Sequence, residues 1–349
     1  MIRVVIADDS LMARQILKQI LEDAGDIAVV GEAANGLQVV EMVRVLKPDL
    51  VTMDLEMPVM GGLGAIQEIM CAKAVPILVV SSAADAREAL EATMLGALDV
   101  IEKPGLACES AAHFVDKVRL LAGVSVVTRL KPKTSVPNPY AVPLSHDACH
   151  PFIYPRLFAI ASSTGGPQAL ARILSALPSD FACPILIAQH ISDGFAGGLV
   201  DWLSTVTRLP VRLAGEGDTP QAGVVHISPS EKHLTVTPQR RLTLTQRSDG
   251  DIYRPSCDRM LTSAAEVFGA RAVGIILTGM GSDGASGMLN IHRRGGITMA
   301  QDEQSSLIYG MNQVAILTGG VQKIVPLELI APEMVRLVHA DSPRVEGGR

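Results

Sequence analysis

The sequence has no apolar run approaching about 18 residues, no basic excess and no paired-cysteine motif. Each absence removes a class of function. A helix that crosses a bilayer needs about 20 apolar residues in succession, so direct membrane insertion is not expected. Lysine and arginine number 30 against 36 aspartates and glutamates, for a net charge of −6. No basic patch is interleaved with aromatics, so nucleic acid is not an expected partner. The five cysteines, at 71, 108, 149, 183 and 257, are odd in number and scattered, without a C-x-x-C. That pattern points to free thiols in a reducing compartment. The chain opens Met1-Ile2-Arg3-Val4-Val5-Ile6-Ala7-Asp8 and reaches an acid pair too soon for a signal peptide, so a cytoplasmic location is expected. What remains is a globular composition, 48% hydrophobic and 19% charged. At 349 residues, two domains are a better expectation than one.

The first 122 residues alternate between two textures. Short runs rich in valine and isoleucine, at 2–7, 27–33, 49–53, 75–80 and 98–101, predict strands. Helical periodicity fills 11–23, 37–46, 62–71, 85–95 and 109–121. Such alternation predicts a five-stranded, doubly wound parallel sheet with function at the carboxyl ends of its strands. Asp8 and Asp9 close the first strand and Asp54 closes the third. If those strands are neighbours, three carboxylates meet in one crevice and repel. A hard divalent cation with oxygen ligands, most simply Mg²⁺, resolves the repulsion. Ser81 ends the fourth strand and Lys103 the fifth, a hydroxyl and an ammonium suited to an anion arriving beside the metal.

This constellation resembles the receiver domain of two-component response regulators, over the first 120 or so residues. The resemblance implies Asp8 and Asp9 as the metal-binding pair, with Asp54 also facing the Mg²⁺ as phosphoacceptor. It implies Ser81 as the switch hydroxyl and Lys103 as the phosphate-pairing lysine, and a Lys103–Pro104 peptide of a kind often cis in the family. Two positions depart from the pattern. Gly61 stands where Asp is usual, and Val100 where a switching aromatic is often found.

Periodicity fades over 123–155, where prolines at 132, 137, 139, 143, 151 and 155 predict a partly extended interdomain linker. His146-Asp147-Ala148-Cys149-His150 offers metal-ligand types, but no second cluster completes four ligands, so a solvated polar tract is expected there.

Alternation resumes at 157. Strands are expected at 157–162, 183–189, 210–214, 272–278 and 296–300, and helices at 167–176, 195–205, 257–268, 284–293 and 326–338. Between 223 and 246, Val224–Ile227, Leu234–Val236 and Leu242–Leu244 read as short strands of an antiparallel insertion. A second doubly wound α/β domain with a hairpin elaboration is expected over 156–345.

Ile160-Ala161-Ser162-Ser163-Thr164-Gly165-Gly166-Pro167 has the grammar of strand, sharp turn and helix. A serine at such a turn sits beside free N–H groups at a helix start, which suit a developing oxyanion. Ser163 or Ser162 is therefore a candidate nucleophile; a plain helix cap is the alternative. His190, directly after the strand Ile185–Gln189, is the candidate base, and it reaches the serine if the two strands are adjacent. The acid candidate is Asp283, in Leu277-Thr278-Gly279-Met280-Gly281-Ser282-Asp283-Gly284, where an N-cap is again the alternative. The same stretch matches G-x-G-x-x-G, with Asp302 placed 18 residues beyond Gly284. Asp283 would put a carboxylate where a pyrophosphate must sit, which disfavours a dinucleotide.

Ser163-Thr164-Gly165-Gly166, Gln189-His190, Pro255-Ser256-Cys257-Asp258, the 279–284 stretch, and Asp302-Glu303 through Tyr309-Gly310-Met311 together resemble the chemotaxis protein-glutamate methylesterase catalytic domain. A receiver ahead of that domain is the family's arrangement, so the likeness spans nearly the whole chain. It implies Ser163 as nucleophile, His190 as base and Asp283 as its partner, with backbone N–H groups near Met280 and Thr164 as the oxyanion site. It further implies hydrolysis of glutamate γ-methyl esters on methyl-accepting chemotaxis receptors, deamidation of glutamines, and phosphorylation at Asp54 by a chemotaxis histidine kinase. The ester chemistry itself calls for no cofactor. In the simplest scheme the receiver covers the active site and phosphorylation shifts a closed–open equilibrium. Asn312, where the family commonly has Pro, is a loop departure. A phosphorylation-dependent binding protein without catalysis, and a nucleotide-dependent oxidoreductase, are the competing function classes.

Overall fold

The computed structural model describes residues 1–105, 108–126, 154–248, 251 and 253–340. They fall into two compact units, one within Met1–Val136 and the other within Pro137–Arg349. Most of the expected linker, and all of 146–150, lies outside the described residues. No helix among the described residues is long and apolar enough to cross a membrane.

The first unit runs β1 (Ile2–Ala7), α1 (Leu11–Asp23), β2 (Ile27–Ala33), α2 (Gly36–Leu46), β3 (Leu50–Met53), α3 (Gly62–Ala72), β4 (Ile77–Ser81), α4 (Ala86–Leu95), β5 (Asp99–Glu102) and α5 (Cys108–Ala122). The sheet order is β2-β1-β3-β4-β5, every pair parallel. Val4, Val5 and Ile6 of β1 and Leu50 and Val51 of β3 are fully buried, as continuous apolar strands between two helical layers must be. Side-chain caps start the first two helices: Ser10 Oγ accepts from Ala13 N, and Asn35 Oδ1 from Gln38 N. Because β1 and β3 are neighbours, Asp8 and Asp54 emerge side by side.

The second unit runs β6 (Leu157–Ser162), α6 (Gly166–Ala176), β7 (Ile185–Gln189), α7 (Phe195–Val206), β8 (Val211–Leu213), β9 (Val225–Ile227), β10 (Lys232–Val236), β11 (Leu242–Gln246), α8 (Cys257–Phe268), β12 (Ala272–Ile276), α9 (Ala285–Arg293), β13 (Ile297–Gln301), α10 (Met311–Leu317), β14 (Lys323–Val325) and α11 (Leu327–Ala340). Its sheet is seven-stranded and parallel, in the order β14-β13-β12-β6-β7-β9-β8. The strand β6 therefore has β12 on one side and β7 on the other.

The expected insertion is smaller than its sequence pattern suggests. Val225–Ile227 pairs in parallel with β7 and β8 and belongs to the main sheet, with all three residues buried. Only β10 and β11 form an antiparallel hairpin. A two-stranded hairpin is marginal alone. This one is secured by Leu234, Val236 and Leu242, which join Met260, Leu261 and Ala264 of α8 in the core. Each such buried side chain contributes about 1.5–3 kcal/mol. The anchoring also fixes His233, fully buried on β10, whose Nε2 pairs with Asp251 at 2.9 Å and whose Nδ1 accepts from Ser256 N at 2.9 Å. The hairpin thus holds the start of α8.

His226, on β9, is 2% exposed, and neither ring nitrogen has a hydrogen-bond partner among the described residues. Burial pulls its pKa down to about 4. The unfolded chain takes up this proton near pH 6.5, whereas the folded chain refuses it until about pH 4. Stability should therefore fall as pH drops through that window, by about 2–3 kcal/mol at pH 4.5 relative to pH 7.5. Urea unfolding of wild type and His226→Leu at both values checks this. The variant should lose that part of the pH dependence; an identical dependence in both proteins would rule it out.

Candidate active site and phosphorylation site

Three loops at the carboxyl edge of the second sheet converge: those after β6, β7 and β12. After β6 the chain turns at Gly165, whose φ of +77° is the left-handed region that glycine adopts without strain. A Cβ at Gly166 would lie 2.0 Å from Gln189 Oε1. That close approach lets Gln189 clamp the turn. Its Nε2 donates to Ser163 O and to His190 O, each at 2.8 Å, and its Oε1 accepts from Ser162 Oγ at 2.6 Å. The two serines thereby become distinct. Ser162 is fully buried with its hydroxyl committed to Gln189. Ser163 is 7% exposed, and its hydroxyl is in no hydrogen bond among the described residues.

His190 Nε2 donates to Asp283 Oδ2 at 2.8 Å. Tyr253 stacks on the imidazole, centroids 5.3 Å apart and planes 10° apart. Its hydroxyl accepts from Ser282 N at 3.4 Å. No hydrogen bond joins Ser163 Oγ to His190, and Nδ1 is the nitrogen that Asp283 leaves open. Such contacts are often long before substrate binds.

Asp283 precedes α9 but does not cap it; that helix has Gly284 at its N-cap. Its carboxylate instead faces the start of α8. Cys257 N donates to Oδ2 at 2.6 Å, Asp258 N to Oδ1 at 2.9 Å and Ser256 Oγ to Oδ1 at 3.2 Å. A helix N-terminus favours an anion. Burial pushes the Asp283 carboxyl up, but His190 and the two N–H groups outweigh it and hold the carboxyl below its usual range. The carboxylate is thus committed to His190 and the start of α8, and Asp302 accepts from Ser305 N and Oγ in its own turn.

Gly279 brings the third loop against the first. Its N donates to Ile308 O at 3.0 Å and its carbonyl accepts from Met311 N at 2.9 Å. A Cβ here would come within 2.6 Å of Ser163 Cβ. The following Met280 is 49% exposed, and its N–H has no acceptor among the described residues. Thr164 is buried, and its carbonyl accepts from Thr278 Oγ1 at 2.9 Å. Asn312, a departure noted in sequence, is buried and ties the same region, donating from Nδ2 to Gln301 O and Ser306 Oγ.

In the first unit, Asp8, Asp9 and Asp54 offer carboxylate oxygens within 4.8 Å of one another. Lys103 Nζ donates to Asp54 Oδ2 at 2.7 Å and lies 2.9 Å from Asp8 Oδ2. Asp8 Oδ2 is buried, and that approach does not have hydrogen-bond geometry. A buried carboxylate oxygen in an all-carboxylate set fits a hard cation such as Mg²⁺. Burial raises the Asp54 carboxyl despite Lys103. Burial would lower the Lys103 ammonium, yet Asp54 and Asp8 together hold it above its usual value. Ser81 is buried at the end of β4. Gly61 serves as the N-cap of α3 without a side-chain bond, and a Cβ at the next residue, Gly62, would lie 2.2 Å from Asp54 O. Val100 is buried in β5. The Lys103–Pro104 peptide is trans; the cis bond among the described residues is Arg254–Pro255.

Sequence reasoning gave no role to Gln189, Tyr253 or the Cys257 and Asp258 N–H groups. Gln189 and the Pro255–Asp258 stretch carried a signal only through the family resemblance, and Tyr253 carried none.

The sequence matches the family described as CheB methylesterase over residues 158–334 and the response regulator receiver domain over residues 4–110. It is 52% identical over 343 residues, 97% of each chain, to "Protein-glutamate methylesterase/protein-glutamine glutaminase 3" of Paramagnetospirillum magneticum. A protein-glutamate methylesterase/protein-glutamine glutaminase of Pyrococcus abyssi is 37% identical, over 97% of this chain and 94% of its own. The crystal structure of the Thermotoga maritima CheB methylesterase catalytic domain superposes with a TM-score of 0.51 at 31% identity, covering 53% of this chain and all of that one.

Proposed function

The chain belongs to the CheB methylesterase family, as a carboxylic ester hydrolase with a receiver domain ahead of the catalytic one, and from that premise we propose that Ser163, His190 and Asp283 hydrolyse glutamate γ-methyl esters on methyl-accepting chemotaxis receptors under the control of phosphorylation at Asp54. The observation that carries the proposal is the meeting of three strand ends: an imidazole paired with a buried carboxylate at 2.8 Å, and Gly279 pressed against Ser163.

Ser163 Oγ attacks the ester carbonyl while His190 Nδ1 takes its proton. Asp283 holds the opposite nitrogen and stabilises the cation that forms. The Met280 N–H, with Thr164 beside the nucleophile, donates to the developing oxyanion. Methanol leaves with the proton from Nδ1. Water then gives its proton to Nδ1 and attacks the acyl-enzyme, releasing glutamate and restoring Ser163. A glutamine side chain reacts by the same steps with ammonia as the poorer leaving group.

In the receiver unit, Asp8, Asp9 and Asp54 would hold Mg²⁺, which supplies charge compensation for phosphorylation. Lys103 supplies the cation that pairs with the incoming phosphate, and Ser81 a hydroxyl at the same edge. A chemotaxis histidine kinase is the expected donor and the cytoplasm the expected compartment.

Methanol release from methylated receptor membranes tests the function. Wild type should release methanol, and faster with Mg²⁺ and a small phosphodonor. No release under either condition would favour a binding protein. Asp54→Asn should erase the phosphodonor response and incorporation of labelled phosphate. Full activation of that variant would contradict the assignment.

A further inference from the structure

The imidazole nitrogen that pairs with Asp283 has a second neighbour, which the hydrolysis does not use. Cys257 Sγ, fully buried at the start of α8, lies 3.5 Å from His190 Nε2. Nitrogen, sulfur and carboxylate oxygen come within 4.8 Å of one another, each from a different segment of the chain. These are the donor types that zinc takes, whereas Mg²⁺ keeps to oxygen. In a tetrahedral site with bonds of about 2.0–2.3 Å, ligand atoms stand roughly 3.3–3.7 Å apart. The Nε2–Sγ pair already has that spacing, and the Nε2–Oδ2 pair, at 2.8 Å, must open by about 0.5 Å as an ion replaces the shared proton. Two of the ligands are held in place: Asp283 by the α8 N–H groups and Cys257 by its place in the helix. The His190 side chain keeps 13% exposure, which gives an entry side.

We propose that His190, Cys257 and Asp283 form an inhibitory site for a borderline-soft divalent cation of the zinc type. The location rests on the triad proposed above, while the binding does not depend on turnover. An ion on Nε2 moves the imidazole proton to Nδ1, the nitrogen that must take the proton of Ser163, so the base is silenced. The Cys257 thiol releases one proton to solution, and the cation offsets the burial and the Asp283 charge that otherwise keep the thiol protonated. Affinity therefore rises with pH.

The test uses the full chain in excess Mg²⁺, which occupies the all-carboxylate cluster of the receiver. Co²⁺ serves as the spectroscopic probe. A thiolate-to-cobalt charge-transfer band should appear and be lost in Cys257→Ala and in His190→Gln, although the other four cysteines remain in both. In parallel, Zn²⁺ should inhibit methanol release, a chelator should restore it, and Cys257→Ala should need about 100-fold more Zn²⁺ for the same inhibition. Cys257→Val, which fills the same buried space with an apolar group, repeats the comparison; metal-free release by the two Cys257 variants reports their folding, and an unfolding curve reports that of His190→Gln. Absence of the band in wild type, a band that persists undiminished in Cys257→Ala and His190→Gln, or Zn²⁺ sensitivity that persists undiminished in the two Cys257 variants overturns the proposal. If methanol release proves independent of Ser163 while the Cys257-dependent band remains, the triad mechanism fails and the metal site stands.

Discussion

Ser163→Ala is expected to lower methyl-ester hydrolysis by about 10⁴- to 10⁶-fold, with the fall in kcat rather than in substrate affinity. The neighbouring serine cannot take over. Ser162 is fully buried and its hydroxyl is given to Gln189 at 2.6 Å, on the clamp that shapes the turn. Ser162→Ala should therefore cost far less, because it removes one buried hydrogen bond of about 1 kcal/mol and no reacting atom. What remains in Ser163→Ala comes from binding and the oxyanion donors. Methanol release over hours, with wild type diluted to a matching rate, is the measurement. Equal losses in the two variants would put the chemistry on the clamp instead of on Ser163.

Asp283→Asn is the second large effect, about 10³- to 10⁴-fold in kcat. The carboxylate accepts on both oxygens: His190 Nε2 and Cys257 N at Oδ2, Asp258 N and Ser256 Oγ at Oδ1. An amide has one acceptor and one donor. With its NH₂ in the Oδ2 position, it faces the Cys257 N–H and forces the His190 proton onto Nδ1, where Ser163 must deliver its own. With its NH₂ in the Oδ1 position, it faces the Asp258 N–H. Each orientation sets donor against donor in a buried site, and the imidazolium loses its counter-charge. Steady-state methanol release, with unfolding curves to separate lost stability from lost chemistry, checks this. Activity within tenfold of wild type would remove Asp283 from the mechanism.

Much of this architecture was legible in the residues, for identifiable reasons. Strands buried on both faces are written as continuous apolar runs, so the inner receiver strands β1, β3 and β4 and the central strands β6, β7 and β12 declare themselves. Motifs at their carboxyl ends then had to converge, because a parallel sheet brings those ends to one edge. Short elements were the ones that escaped. Val225–Ile227 is three residues long, and no local feature tells a parallel strand of the main sheet from a hairpin strand; its pairing with Ile185–Ile187 is a long-range fact. β14 has two of its three residues exposed, and α10, at seven residues, is too short to show periodicity.

Within the site, residue types were legible and their commitments were not. Two adjacent serines remain equivalent until Gln189, 26 residues beyond Ser163, claims one of them. Asp283 reads as the partner of His190 or as a cap for the helix that follows it; its carboxylate pairs with His190 and also serves α8, which begins 26 residues earlier. Tyr253 lies in a stretch without periodicity, and only the fold lays its ring on His190. At Lys103 the reverse holds. The lysine was expected at the phosphoacceptor and lies 2.7 Å from Asp54.

The most direct test of the central claim, that Ser163 is the nucleophile His190 activates, is covalent. A fluorophosphonate that mimics the tetrahedral intermediate is incubated with the full chain, and the modified residue is located by peptide mass spectrometry. One phosphonyl group on Ser163, absent from Ser163→Ala and strongly slowed in His190→Gln, is the predicted result. A label on Ser162 or elsewhere, formed while methanol release is lost in step, would contradict the account.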